Sequence, residues 1–216
     1  MVINKNTTGV IYMKLDGILI NFCEWIYRFL ILNFLWVAFT VMGGVVLGIM
    51  PATVTTFYIL RKWVQGELDI PIFKTFKDVY IKEFKNANKC GLFFAAIFMF
   101  LAMDLNILYK MEALYSTVLY ILVMAVLFFV SVAFIYFFPT YVHFELSIKD
   151  YIKNSFILAL TSPMQTVIIG AGFGLIYYFV KGSPGLIPFF FMVIPSYWVM
   201  HILYKRFLYL KKTLSA

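Results

Sequence analysis

The sequence predicts an all-α fold, a polytopic transmembrane helical bundle of five to six spans with amphipathic helices on its cytoplasmic side. Three observations carry this expectation. Of 216 residues, 63% are hydrophobic and only 13% charged, against roughly a quarter charged in an ordinary soluble domain. The apolar residues come in long runs, of which Phe29 to Leu60 holds 32 residues without a charge. The charges, 18 basic against 10 acidic, gather between those runs. In a soluble chain a net +8 could point to nucleic acid. Here it points to cytoplasmic loops and anionic lipid, so membrane lipids are expected partners and nucleic acid is not. The length suits a single integral membrane domain over residues 1–216.

Taken in order, residues 10–28 mix Lys14, Asp16, Glu24 and Arg28 among apolar residues, and Glu24 and Arg28 stand at i, i+4, where they neutralise one another on a helix. The run from Phe29 to Leu60 is about 48 Å long as a helix, against a hydrocarbon core of about 30 Å. A break is therefore expected at Gly43, Gly44 and Gly48 followed by Pro51, with one helix ending near residue 48 and the next starting at Pro51, a residue suited to a first helical position. That second helix carries Phe57, Tyr58 and Leu60 up to Arg61, Lys62 and Trp63. At about 15 residues, roughly 22 Å, it falls short of a crossing.

Gly66 with Glu67 and Asp69 predicts a turn, and Pro71 opens the next helix. Phe73, Phe76, Tyr80, Phe84 and Ala87 recur at steps of three or four, while Lys74, Asp78, Lys82, Lys85 and Lys89 take the same steps on another side. Residues 61–89 thus read as a cytoplasmic amphipathic segment suited to a membrane surface or the groove of a partner. Its candidate docking residues are Arg61, Lys62, Trp63, Lys74, Lys77, Lys82, Lys85 and Lys89.

Cys90 to Tyr109 is the following span, with Asp104 towards its far end, and Lys110 and Glu112 mark a short loop. Leu114 to Phe138 is the next, stopped by Pro139 and bordered by Tyr136 and Tyr141 as an interfacial belt would be. Residues 143–156 form the second cytoplasmic loop. In it, Ser147 followed by Asp150 is a capping box with a shorter acid, opening a helix that carries Tyr151, Ile152 and Phe156 on one side. Ile157 to Val180 is a span interrupted at Ser162 and Pro163, Lys181-Gly-Ser-Pro-Gly a tight outer loop, and Leu186 to Tyr204 the last span. The segment from Arg61 to Lys89 carries seven Lys or Arg and the tail from Lys205 four, while the loops at Lys110 and Lys181 carry one each. By the positive-inside rule the heavy segments and the C-terminus are cytoplasmic, in a multi-pass protein of the cell membrane.

Gly44 and Gly48, and likewise Gly170 and Gly174, have small-xxx-small spacing, which allows two helix backbones to approach closely, within the bundle or against another protein. Cys23 and Cys90 are isolated thiols without a CxxC, so no disulfide framework is expected. The first residues contain no compact apolar run before a small-residue cleavage site, so no removable signal peptide is expected. His143 and His201 lie far apart without visible metal partners. Glu24 and Asp104 are the acids placed in or beside spans. No nucleophile, base and orienting group can be assembled, so the chain is expected to be neither an enzyme nor a holder of a cofactor or metal.

The stretch from Gly48 to Gly91 resembles the bacterial YesL family of small integral membrane proteins, defined by a domain of unknown function. The matching elements are Pro51-Ala52-Thr53, Arg61-Lys62-Trp63, Gly66, Pro71-Ile72-Phe73 and the helix end from Phe84-Lys85 to Asn88, preceded by Asn33-Phe34-Leu35-Trp36. The sequence departs at Gly48-Ile49-Met50, where a Thr or Phe is expected beside the Pro51 turn. The resemblance brings no catalytic residues. It implies a context beside ABC importers and glycoside hydrolases for complex carbohydrates, and hence an accessory subunit docking with importer permease or ATPase subunits. The alternative, from the Gly/Pro-broken helices at Gly43 to Pro51 and at Pro163, is a stand-alone transporter of small solutes.

Overall fold

The computed structural model describes residues 5–111, 114–182 and 192–214, and the side chains over 20–111, 115–182 and 192–210. Among the described residues there are seven α-helices and no strand: α1 Lys5–Met42, α2 Val46–Val64, α3 Ile72–Tyr109, α4 Leu114–His143, α5 Ile148–Thr161, α6 Pro163–Gly182 and α7 Val193–Leu214. Among the described residues, four stretches are long and apolar enough to cross a membrane: Ile20–Met42 of α1, the whole of α3, Tyr115–His143 of α4, and α6. The chain is a multi-pass helical membrane protein.

The core is organised around α2. Twelve of its 19 residues are buried, and it packs against α1, α3, α4 and α7. The break from α1 lies earlier than the proline suggests. Gly44 and Val45 take positive φ, 75° and 63°, and turn the chain at once, so α2 starts at Val46 and Pro51 sits inside it. A helical proline leaves the carbonyl four residues back without its donor. That carbonyl belongs to Leu47, and it accepts instead from Nδ2 of Asn88 on α3 at 2.9 Å. Pro51 is tolerated mid-helix because a side chain from another helix stands in for its missing N–H.

α1 and α2 run side by side in opposite directions. Trp36 Nε1 donates to Thr53 Oγ1 at 3.1 Å, and Gly48 lies so close to α1 that an added Cβ would run into the Thr40 carbonyl. Towards the far end, Arg28 donates to the Leu68 carbonyl at 2.7 Å and pairs with Glu24 at 3.6 Å, as their spacing predicts. At the C-terminus of α2, Gly66 has φ 91°, Glu67 N donates to Lys62 O and Gly66 N to Trp63 O, a Schellman ending for which a glycine is the natural residue.

α3 differs most from the sequence reading. The amphipathic segment and the span beyond Lys89 are one uninterrupted helix of 38 residues, about 57 Å long and nearly twice the hydrocarbon thickness. The polar run from Asn86 to Lys89 stays helical because its register keeps Ala87 and Cys90 buried while Lys85 and Lys89 remain exposed. Tyr80 donates to the Phe39 carbonyl at 3.0 Å, and Phe39 also meets Phe76 and Tyr80 with ring centroids 5.0 Å apart.

Pro139 does not stop α4, which continues to His143. Thr140, Tyr141 and Val142 are all buried, and a turn with that much apolar contact outweighs one lost backbone bond. α5 opens as predicted: Asp150 N donates to Ser147 Oγ at 3.3 Å, and the Ser147 hydroxyl donates to Asp150 Oδ2 at 2.6 Å. The interruption at Ser162 and Pro163 is real and separates α5 from α6. Of the expected outer loop, Lys181 and Gly182 are the last residues of α6, while 183–185 and the start of the expected last span, 186–191, lie outside the described residues. The basic tail, rather than ending the helix, continues it to Leu214.

Candidate functional site

The basic residues singled out by sequence occupy two places. Lys74, Lys77, Lys82, Lys85 and Lys89 are all exposed on α3, opposite the buried Phe76, Tyr80 and Ala87. Phe84 is half-buried and Phe73, at 62% exposure, is outside the core. Arg61, Lys62 and Trp63 form the last turns of α2. There Arg61 and Lys62 both reach over the Tyr58 ring, at 5.6 and 5.8 Å. Lys62 also holds Glu67 at 2.8 Å. That hydrogen bond raises the lysine above its ordinary pKa and lowers the carboxylate below its own. Trp63 is not available for docking. It is 3% exposed and packs edge-on against Trp25 at 6.0 Å, because the helical phase of α2 puts it on the same side as the buried Ile59 and Leu60.

Of the turn residues, Gly66 and Pro71 flank the α2–α3 connection as expected. The four packing glycines divide. Gly48 lies in the α1–α2 contact and Gly44 makes the turn, but among the described residues Gly170 and Gly174 have no atom within contact range of a Cβ. The close approach of α6 and α7 is at Gly172 instead, where a Cβ would meet the Trp198 ring.

Where the ends of α2 and α4 meet the first half of α3 and the start of α5, Arg61 and Lys82 line a polar cleft of about 220 Å³ with Glu83, Tyr141, His143, Glu145 and Tyr151. Tyr141 donates to Glu83 Oε2 at 2.6 Å, and its ring lies 4.5 Å from that of Tyr151. Tyr151 in turn donates to the Phe144 carbonyl at 2.9 Å and accepts from Leu146 N at 3.1 Å, so this one side chain fixes the 143–147 loop. His143 lies between rings, 4.7 Å from both Phe144 and Phe207, which brings the basic end of α7 to the same end of the bundle. The cleft thus mixes two fixed cations with two carboxylates. Among the described residues, no three His, Cys, Asp or Glu side chains converge as a metal site would require. That Glu83, Tyr141 and Tyr151 meet escapes sequence reasoning, because residues 58 apart leave no spacing signal. An acid beside Phe84, on a segment whose polar residues are mainly basic, is the one hint.

The DUF624 family, described as proteins of unknown function, matches residues 29–105, a region that supplies Arg61, Lys82 and Glu83 of this cleft. Three Bacillus subtilis (strain 168) proteins, all uncharacterized, are similar over most of their lengths. YteU is 36% identical over 87% of this chain and 84% of its own. YesV is 35% identical over 78% and 81%, and YesL 32% identical over 70% and 71%. No solved structure matches the chain. With an all-helical multi-pass fold and these relatives, the chain belongs to the YesL (DUF624) family of bacterial membrane proteins.

Proposed function

We propose that this protein is an accessory subunit of a carbohydrate ABC importer in the cell membrane. In this reading α2 and α7 join the four apolar helices to make five to six spans, and the end where Arg61, Lys82 and His143 meet faces the cytoplasm together with the C-terminus. The observation that carries the proposal is the length of α3. About 20 residues suffice to cross a bilayer, so its first half is left over as an amphipathic cytoplasmic arm. One side of that arm is anchored by Phe76 and Tyr80, and the other presents Lys74, Lys77, Lys82, Lys85 and Lys89 to a partner. The importer as partner rests on the context that the family resemblance implies. The role is docking rather than catalysis.

A tagged copy purified from native membranes in mild detergent is expected to bring down a permease or ATPase subunit. Reversing charge at Lys82 and Lys85 together is expected to abolish that capture while insertion and folding persist, because neither side chain contributes to the core. Capture of no importer subunit, or capture unchanged by the reversal at physiological salt, overturns the proposal. A stand-alone transporter is less well supported. The cavity among α1, α2, α4, α6 and α7, about 350 Å³, is lined mostly by apolar and aromatic side chains such as Trp36, Phe57, Phe138 and Val199, whereas a sugar needs convergent hydrogen-bonding groups.

A further inference from the structure

A groove of about 620 Å³ runs between α6 and α7, a volume within the range of small-ligand sites. Its lining combines two cations, Lys205 and Arg206, and the polar Gln165 and His201 with the apolar Ile168 and Ile202. Arg206 lies over the Tyr209 ring at 5.5 Å, a cation–π contact that helps hold its guanidinium in place. Its Nε is buried with no hydrogen-bond partner among the described residues. Such a donor is costly to leave unmet. Next to the groove, Met164 and Val167 of α6 are exposed at 72% and 71%, an outer apolar surface suited to acyl chains. Tyr204 and Phe207, on the neighbouring turns of α7, pack on His143 at 5.7 and 4.7 Å. The groove therefore lies towards the end of the bundle where Arg61 and Lys82 also gather.

From this arrangement we infer that the α6–α7 groove is a binding site for an anionic phospholipid, with its phosphodiester on Arg206 and Lys205 and its chains along Ile168, Ile202 and the outer face of α6. A planar guanidinium held by a ring presents a fork to two phosphate oxygens, and the lysine adds a point charge. Gln165 and His201 are in position to contact the ester oxygens or a headgroup hydroxyl. Basic pockets between transmembrane helices at the cytoplasmic side take such headgroups. The inference stands apart from importer docking, which uses the opposite set of cations on α3.

The test uses the full chain in neutral detergent, titrated with dioctanoyl phosphatidylglycerol, dioctanoyl phosphatidylcholine or inorganic phosphate, and read by melting temperature and by retained adducts in native mass spectrometry. Wild type is expected to be stabilised by, and to retain, the phosphatidylglycerol only. Lys205→Gln with Arg206→Gln is expected to weaken that binding at least tenfold, and Lys149→Gln with Lys153→Gln, on exposed positions of α5, to leave it unchanged. Lys205→Gln alone changes one exposed side chain and keeps the test valid if the double variant does not fold; it is expected to weaken binding about threefold. Equal response to phosphatidylcholine, an equal response to inorganic phosphate, or unchanged binding in the folded variants overturns the inference.

Discussion

Gly44 to Gly48 and Gly170 to Gly174 carry the same spacing of small residues, and the fold uses them in opposite ways. The first pair sits where α1 turns into α2: Gly44 supplies a left-handed backbone and Gly48 touches the Thr40 main chain. The second pair lies on a side of α6 that is open among the described residues, and Gly172 between them makes the helix contact, against Trp198. Spacing shows that a backbone could approach. Whether a neighbour arrives is decided by the elements on either side. A turn of three residues forces α2 back along α1, whereas α6 meets α7 through a different side of its surface.

The sharpest way to break this contrast is at Gly48. Gly48→Leu is expected to prevent accumulation of folded protein, since the clash is with main chain that cannot move aside. Overpacking already costs about 1–3 kcal/mol where side chains can yield. Gly174→Leu is expected to leave the detergent-extracted protein monodisperse. Thermal melting of the two variants reads the difference directly. Equal loss in both would show that α6 also has a close neighbour at Gly174.

A second test concerns the proline that the first region tolerates. Asn88→Ala removes the donor supplied in place of the Pro51 N–H, leaving the Leu47 carbonyl unmet at about 1–3 kcal/mol. Pro51→Ala restores the backbone donor. The double variant is therefore expected to recover most of what Asn88→Ala loses, giving a coupling that a double-mutant cycle measures. Additive losses would mean that Asn88 matters through its other bond, to the Phe84 carbonyl at 2.8 Å.

A smaller effect is expected from Gly170→Ala, with the opposite sign. An open mid-helix glycine gives way to alanine with a gain of about 0.5–1 kcal/mol in helix preference, seen as a modest rise in melting temperature. A fall would place an unseen neighbour on this side.

These contrasts also show which parts of the fold were legible. Local grammar was: the turn at Gly66, the cap at Ser147, the break at Pro163 and the Glu24–Arg28 pair each depend on residues within a few positions of one another. What failed was long-range. Pro51 looked like a helix start because its substitute donor is on a side chain from another helix. Pro139 looked like a stop because the burial of Tyr141 and Val142 is a property of the neighbours. Asn86 to Lys89 looked like a connection because its polarity hid the register that buries Ala87 and Cys90. At the candidate site the lysines of α3 were plain from their period, yet Trp63 belonged to the core and the Tyr141–Glu83 bond was invisible.

The smallest effect expected is at the exposed end of α2, where one turn holds both the buried Trp63 and the solvated Lys62. The hydrogen bond to Lys62 lowers the Glu67 pKa in the folded protein, so the pair's contribution is fully present above the ordinary carboxylate value and is lost as pH falls through the lowered one. The same bond raises Lys62. On that side the contribution is present below the ordinary lysine value and lost as pH rises through the raised one. Between these limits it is flat. Wild type and Glu67→Gln are therefore expected to differ in melting temperature by a small constant amount from pH 6 to 9, converging as the pH drops below about 4.5. Added salt is expected to shrink the difference throughout, because an exposed pair is screened. Trp63→Ala, by contrast, is expected to lose stability by the same amount at every pH and salt concentration, since what it removes is apolar contact with Trp25 and Phe29. A Glu67→Gln difference that stays constant into acid would mean that the turn is held by the Gly66 backbone alone.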